Sequence, residues 1–250
     1  MNDITVCIPI YDPSANYLDF MEDALNSICI QSSLPQEVIL SGASEPWYMN
    51  ELLSKYAKCF PIRFILNESK STSSNLNFLI KHSTSLITKL LFQDDFLISI
   101  KALENISKSF DHSHKNWLVS GSKNYDNATK EFTRKIRPRF SKKIADGVNT
   151  IGSPSVVAFR TQCFTEFNEN LIWMLDCEWY LRMMHNFGKP ILTKQYQTAS
   201  RLHDGQATHE AQIMHHSEVA LTRSLHSKLR FFPSPSRKRC TCQDNFFGTR

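Results

Sequence analysis

Glycine is scarce in this chain, seven residues in 250, and none of them falls into a Gly-x-Gly-x-x-Gly turn or a Walker loop. Those loops bring backbone N–H groups against a phosphate, so a standard dinucleotide site and a P-loop kinase are both poorly supported. Apolar residues never run to eighteen in succession, which leaves nothing long enough to cross a bilayer as a helix. The opening Met1-Asn2-Asp3-Ile4 lacks the basic and then apolar order of a signal peptide, and the expected location is cytoplasmic. Cysteine is unpatterned: Cys7, Cys29, Cys59, Cys163, Cys177, Cys240 and Cys242 are odd in number and scattered. No disulfide framework is expected of them, and the thiols are read as reduced and structurally incidental. Cys240 and Cys242 stand too close together for the usual zinc pair. Nothing repeats internally.

What the chain does have is an alternation of strand and helix patterns. Ile4 to Ile10 reads as a strand closed by proline, and Leu18, Met21, Ala24, Leu25 and Ile28 recur at helical spacing. Glu37 to Ser41 and Ile62 to Leu66 are further strands, with a helix around Glu51 to Tyr56 between them. The Ser- and Thr-rich segment Ser69 to Ser74 precedes a helix bearing Leu76, Leu79 and Ile80. Such alternation argues for an α/β fold with a Rossmann-like, mostly parallel sheet flanked by helices. Residues 1–97 form the nucleotide-binding half of a single domain 1–230, and 98–230 the acceptor-side half. Residues 231–250, with Pro233, Pro235 and Arg237-Lys238-Arg239, read as a basic tail.

The run Lys89-Leu90-Leu91-Phe92-Gln93-Asp94-Asp95 reads as a buried strand ending in two carboxylates. Ligands of open α/β sheets bind outside the carboxyl ends of the strands, where this pair would sit. Adjacent carboxylates repel unless a cation or a hydroxyl-rich ligand lies between them, which suggests a hard metal and a phosphate-bearing substrate. The bland alternative is a solvated loop. Further on, a helix is expected from Ser99 to Phe110 and a strand at Trp117 to Ser120, followed by an exposed, mobile basic loop. That loop holds Arg134, Lys135, Arg137, Arg139, Lys142 and Lys143 and accounts for much of the net charge of +5. It is expected to meet a pyrophosphate-linked lipid or an anionic membrane surface as a peripheral contact. Neither basic cluster carries a nucleic-acid motif, so no nucleic acid partner is expected. Asn149 to Phe159 reads as a tight turn feeding a buried strand, and Met174 to Met183 as a helix with Asp176 beside its apolar stripe. Arg201 to Asp204 follow a strand near Tyr196, and a helix from roughly His209 to Leu229 is expected across the back of the domain.

These pieces resemble a family. Val6 to Tyr11, the helix ending Ala24 to Ser32, Glu37 to Leu40, Ser74 to Asn77, Phe92-Gln93-Asp94-Asp95 and Asp176 to Arg182, in this order, are similar to family 2 inverting glycosyltransferases of the GT-A fold. The resemblance runs from about Ile4 to Thr208. It implies transfer of a sugar from a nucleotide-sugar donor to a hydroxyl of a glycan or lipid-linked saccharide, with inversion, in surface polysaccharide biosynthesis. Pro9, Tyr11, Ser41, Ala43, Ser44, Asn75 and Asp94 would hold the donor. Asp95, with His203, would hold Mn²⁺ or Mg²⁺. Asp176 would be the general base, and Gly152, Ser153, Glu178 and Trp179 would face the acceptor. The chain also departs from the family pattern. Ser41-Gly42-Ala43 and Phe92 stand where many members carry acids, and Ser74 where an arginine is common, with Lys70 a substitute positive charge. A GT-A-fold binding protein without turnover is the alternative these departures keep open. A nucleotidyltransferase would carry a glycine-rich loop after the first strand, and Tyr11-Asp12-Pro13-Ser14 is unlike one.

Overall fold

The structure, a computed structural model, describes residues 3–11, 17–69, 71–205 and 212–226. Its frame is a nine-stranded sheet in the order β3-β2-β1-β4-β8-β6-β9-β5, with β7 paired to β6 off that path. The parallel half consists of β1 (Ile4–Pro9), β2 (Glu37–Gly42), β3 (Ile62–Leu66) and β4 (Ile87–Leu90). Three helices connect them: α1 (Leu18–Cys29), α2 (Met49–Tyr56) and α3 (Thr72–Lys81). Strand β1 is buried along its whole length, as a central parallel strand covered on both faces must be. Its side chains alternate between two cores. Ile4, Val6 and Ile8 meet α1, α2 and α4 (Ala102–Asp111), while Cys7 joins Ile39, Leu76 and Leu79 on the opposite face.

Beyond β4 antiparallel pairings enter. Strand β8 (Val157–Arg160) runs antiparallel to β4 and to β6 (Trp117–Asp126), β9 (Ile191–Leu202) runs parallel to β6, and the short β5 (Phe96–Leu97) runs antiparallel to β9. This arrangement decides where the site lies. The C-terminal ends of β1, β2, β4 and β9 and the N-terminal start of β8 all reach one edge of the sheet. The remaining helices are α5 (Leu175–Phe187) and α6 (His215–His226).

Several expectations need correction. Strand β4 ends at Leu90, so Asp94 and Asp95 lie in a turn four and five residues beyond it, closed by the Asp95 N–H donating to the Phe92 carbonyl at 3.0 Å. Helix α3 begins at Thr72 and takes in Ser73 and Ser74, with the Ser71 hydroxyl accepting from the Ser74 N–H as its cap. The basic stretch is largely ordered rather than a loop. Arg134 and Lys135 belong to β7 (Glu131–Ile136), which forms a hairpin with β6 around a turn where the Asp126 carboxylate accepts from Ala128 N–H and Thr129 N–H. Cys29 and Cys59 form a disulfide, against the expectation of reduced thiols. Helices α1 and α2 lie together, bound by Lys55 to Glu22 at 2.6 Å and Tyr56 Oη to Asn26 at 2.8 Å, and this brings the two cysteine Cα atoms to 5.7 Å. Cys7, Cys163 and Cys177 are free and buried. The last helix, α6, meets the start of α5 and the 3₁₀ turn Lys142–Asp146 instead of the back of the domain.

Candidate active site

The acid turn is held from several sides. The Asp95 carboxylate accepts from the Ser153 hydroxyl at 3.0 Å and from the Arg201 N–H at 3.1 Å. Asp94 Oδ2 lies 3.1 Å from His203 Nε2, and the Asp94 carbonyl accepts from Arg201 Nε at 2.9 Å. Arg201 is itself buried, its guanidinium donating also to Asn127 at 2.8 Å and to Asp23 at 2.7 Å and lying 4.4 Å over the Phe20 ring. Tyr11 enters because β1 ends two residues earlier. Its N–H donates to Gln93 Oε1 at 2.8 Å, and burial, then the Asp94 charge beside it, holds its phenol well above the usual range. Burial, then the neighbouring Asp94 charge, pushes the Asp95 carboxyl up to about 7. Underneath, burial pulls the Lys89 amine down to about 7.

Asp176 sits in the first turn of α5. Its Oδ2 accepts from Asn149 Nδ2 at 2.5 Å and its Oδ1 from the Cys177 N–H at 2.6 Å. A helix N-terminus and these donors favour the carboxylate, yet burial outweighs them and pushes the group up to about 6. The loop that delivers Asn149 turns at Gly152, whose φ of +123° only glycine adopts without strain. The Gly152 carbonyl accepts from Asn149 Nδ2 at 3.0 Å and from Tyr180 Oη at 2.9 Å, tying loop to helix. From the other side Glu218 of α6, buried, accepts from the N–H groups of Ile172, Trp173 and Met174 at 2.8–2.9 Å. A remote carboxylate thereby holds the approach to the α5 N-terminus.

One cleft of about 350 Å³ collects Tyr11, Asp94, Asp95, Ser153, Asp176 and Arg201 along its wall, a volume within the range of small-molecule sites. The other expected residues lie elsewhere. Pro9 is buried in β1. Asn75 donates to the Ser41 carbonyl at 2.7 Å and the Ile10 carbonyl at 3.4 Å, which fixes the ends of β1 and β2. Ser41 is buried, its hydroxyl lacking a partner among the described residues, while Ala43 and Ser44 are exposed beyond β2 and do not line the cleft. His203 reaches Asp94 without lining the cleft, its ring edge against Tyr17 and Phe20. Glu178 lies about 200° around α5 from Asp176, buried between Arg182 at 2.6 Å and His226 at 2.9 Å. Trp179 is core, stacked on Phe167 at 4.7 Å. Neither faces an acceptor in this cleft. Ser153 does line it, although its hydroxyl bonds to Asp95. Lys70, the turn residues Asp12-Pro13-Ser14 and the tail 231–250 lie outside the described residues.

Sequence reasoning missed Asn149, Gln93, Arg201 and Glu218 as parts of this site. Gln93 alone left a usable signal, a polar residue inside an apolar run. Among the described residues no helix is long and apolar enough to cross a membrane, and no group of three or more His, Cys, Asp or Glu side chains could hold a metal ion by itself.

No protein-family model matches the chain, and no curated protein sequence does. Solved structures do. S. aureus TarS 1-349 in complex with UDP-GlcNAc superposes with a TM-score of 0.68 at 17% identity over 89% of this chain, which spans 66% of that one. S. aureus TarS matches with a TM-score of 0.66 at 16% identity, 92% of this chain covering 41% of that one. A mannosyltransferase from Pyrobaculum calidifontis in complex with GDP-Man and Mn²⁺ gives 0.64 at 13% identity, with 88% and 64% covered. The chain thus spans just under two thirds of the TarS 1-349 chain in the first match. The sheet described above, with its helices on both faces, is the GT-A-like fold of these glycosyltransferase structures.

Proposed function

We propose that this chain is a glycosyltransferase that moves a sugar from a nucleotide-sugar donor to a hydroxyl of a glycan or lipid-linked saccharide, with inversion at the anomeric carbon. One observation carries the reading. Asp94 and Asp95 from the parallel half and Asp176 from the first turn of α5 share one cleft with Tyr11. The similar structures with UDP-GlcNAc and with GDP-Man support the donor class.

Asp176, pushed to about 6, is mostly ionised at neutral pH and still close enough to it to take a proton, as a general base should be. It removes the proton of the acceptor hydroxyl while that oxygen forms its bond to the anomeric carbon and the bond to the donor phosphate breaks. A single displacement from the opposite face inverts the centre. Asn149 aims the carboxylate by donating to Oδ2. Tyr11 offers a ring face for the base.

A divalent ion fits the acid turn on two counts. The Asp94–Asp95 repulsion that raises Asp95 is relieved by a cation, and Mg²⁺ sites commonly need only one or two carboxylates besides substrate phosphates. Asp94 and Asp95 would hold Mn²⁺ or Mg²⁺, with His203 orienting Asp94, and the ion would supply Lewis-acid stabilisation of the departing diphosphate.

The test is a thermal-shift panel of nucleoside diphosphates and nucleotide-sugars, with and without Mn²⁺. One base is expected to raise the melting temperature, more so with metal, by mass action on the native state. An Asp95→Asn variant is expected to lose the metal-dependent part. A flat response to every nucleotide at millimolar concentration overturns the reading.

A further inference from the structure

A second cleft, of about 860 Å³, shares no lining residue with the first. Its walls come from β5, β6, β7, β9 and the approach to α4, and include Phe96, Lys101, Lys123, Phe132, Gln195 and Tyr196. The rings form one aromatic group. Phe96 meets Tyr125 edge-on at 5.2 Å, and Phe132 lies 5.3 Å from Tyr125 and 6.5 Å from Phe96. Phe132 keeps 48% of its surface exposed.

Cations are set upon those rings. Lys123 Nζ lies 5.1 Å from the Phe132 ring centre and 5.9 Å from that of Tyr196. The Arg137 guanidinium stands 5.9 Å over Tyr196, and its Nε donates to the Tyr196 hydroxyl at 2.9 Å. Ring contacts hold the charges in place without neutralising them. No acidic residue lines the cleft, and among the described ion pairs none involves Lys101, Lys123 or Arg137. Glu104, which senses the Lys101 charge, is bonded to Lys108 and Ser32. Asn105, Ser99 and Gln195 add amide and hydroxyl groups to the wall.

A plain solvated surface explains lysines on a convex face. It does not explain a concave site in which unpaired cations, exposed rings and amides converge. Rings suit the apolar C–H faces of sugars, amides suit their hydroxyls, and lysines suit an anionic substituent. We propose that this cleft binds an anionic saccharide chain, its sugar faces on Phe132 and Tyr196 and its phosphate or carboxylate groups on Lys101 and Lys123. The saccharide nature of the occupant rests on the transferase reading, because β9 runs on from Tyr196 to Ser200 and Arg201 of the first cleft. Four residues of strand cover about 13 Å, a distance that a short oligosaccharide spans. The cleft would thus hold a remote part of a charged acceptor and lower the KM for long acceptors over short ones.

The experiment titrates the full chain by calorimetry with oligogalacturonate, a phosphorylated maltooligosaccharide, a neutral maltooligosaccharide of the same length, an oligothymidylate and phosphatidylglycerol vesicles. At least one anionic saccharide is expected to bind at least tenfold more tightly than the neutral one, and the two anionic arms separate carboxylate from phosphate. A Lys101→Ala/Lys123→Ala variant and, independently, Phe132→Ala are each expected to lose at least tenfold, with unchanged melting temperatures. Charged and neutral saccharides binding alike, no saccharide binding, variants that bind as the parent does, or a preference for the oligonucleotide or the vesicle each overturns the proposal. Nucleoside diphosphate shifts are read on the same samples. A retained shift with failed saccharide binding rejects the second cleft alone, and loss of both rejects the transferase reading as well.

Discussion

At Asp176 two local effects oppose each other, and the stronger sets the chemistry. The helix start and two donors favour the charged carboxylate, burial disfavours it, and burial wins by raising the group from 3.8 to about 6. The native state therefore binds more protons than the unfolded one between these values. Stability from this group is present below about 3.8, falls as pH rises towards 6, and the ionised form costs stability above it. Asp176→Asn removes that cost. The variant is expected to melt higher than the parent at pH 8, by about 1 kcal/mol, to match it near pH 3.5, and to lose a factor of about 10²–10⁴ in kcat. Melting curves at the two pH values and a pH–rate profile lacking its limb near 6 check all three outcomes. Asp176, Asp95 and Tyr11 were legible in the sequence because each stands at a marked place: an acid beside an apolar helical stripe, an acid ending an apolar run, an aromatic after a proline-closed strand. Arg201 and Asn149 were not. Each acts on a residue 27 or more positions away, and such partnerships arise only when strands β8 and β9 come beside β4 and β5.

Helix α6 shows how an element far along the chain becomes part of the site. The segment was readable as helical, but its docking against α5 was not, because Glu218 lies about 45 residues beyond the N–H groups it accepts from. Glu178 completes the contact through His226 at 2.9 Å. Glu218→Gln replaces one acceptor oxygen by a donor that faces those N–H groups. It is expected to cost about 1–3 kcal/mol in denaturant unfolding, to lower kcat more than it changes the donor KM, and to displace the rate limb near pH 6. A purely structural role predicts the stability loss with an unchanged limb. The hairpin β6–β7 was misread for a related reason. A basic stretch with a proline looks like a loop, yet the Asp126 turn and the register Ser122–Ile136 and Lys123–Lys135 make a strand of its first part. The Cys29–Cys59 bond was equally hidden, since only the packing of α1 beside α2 brings the two residues together.

At the scale of the whole molecule, the division at residue 97 marks a change in strand pattern and leaves the sheet continuous. Strand β4 takes β8 as its outer neighbour, β5 pairs only with β9, and Asp23 of α1 meets Arg201 of β9. The first cleft draws on both halves too, Tyr11 and Asp94 from one, Asn149, Asp176 and Ser200 from the other. Parallel sheets demand cover on both faces and neighbours on both edges, which residues 1–97 lack without the rest. The intact chain is therefore expected to unfold in a single transition that a nucleotide ligand moves as a whole. A fragment of residues 1–97 is expected to show no cooperative melting, no fixed aromatic circular dichroism and no response to nucleotide. A fragment that melts cooperatively and still answers to the nucleotide would mean that the donor half stands alone, and that the second half only brings Asp176 and the acceptor to it.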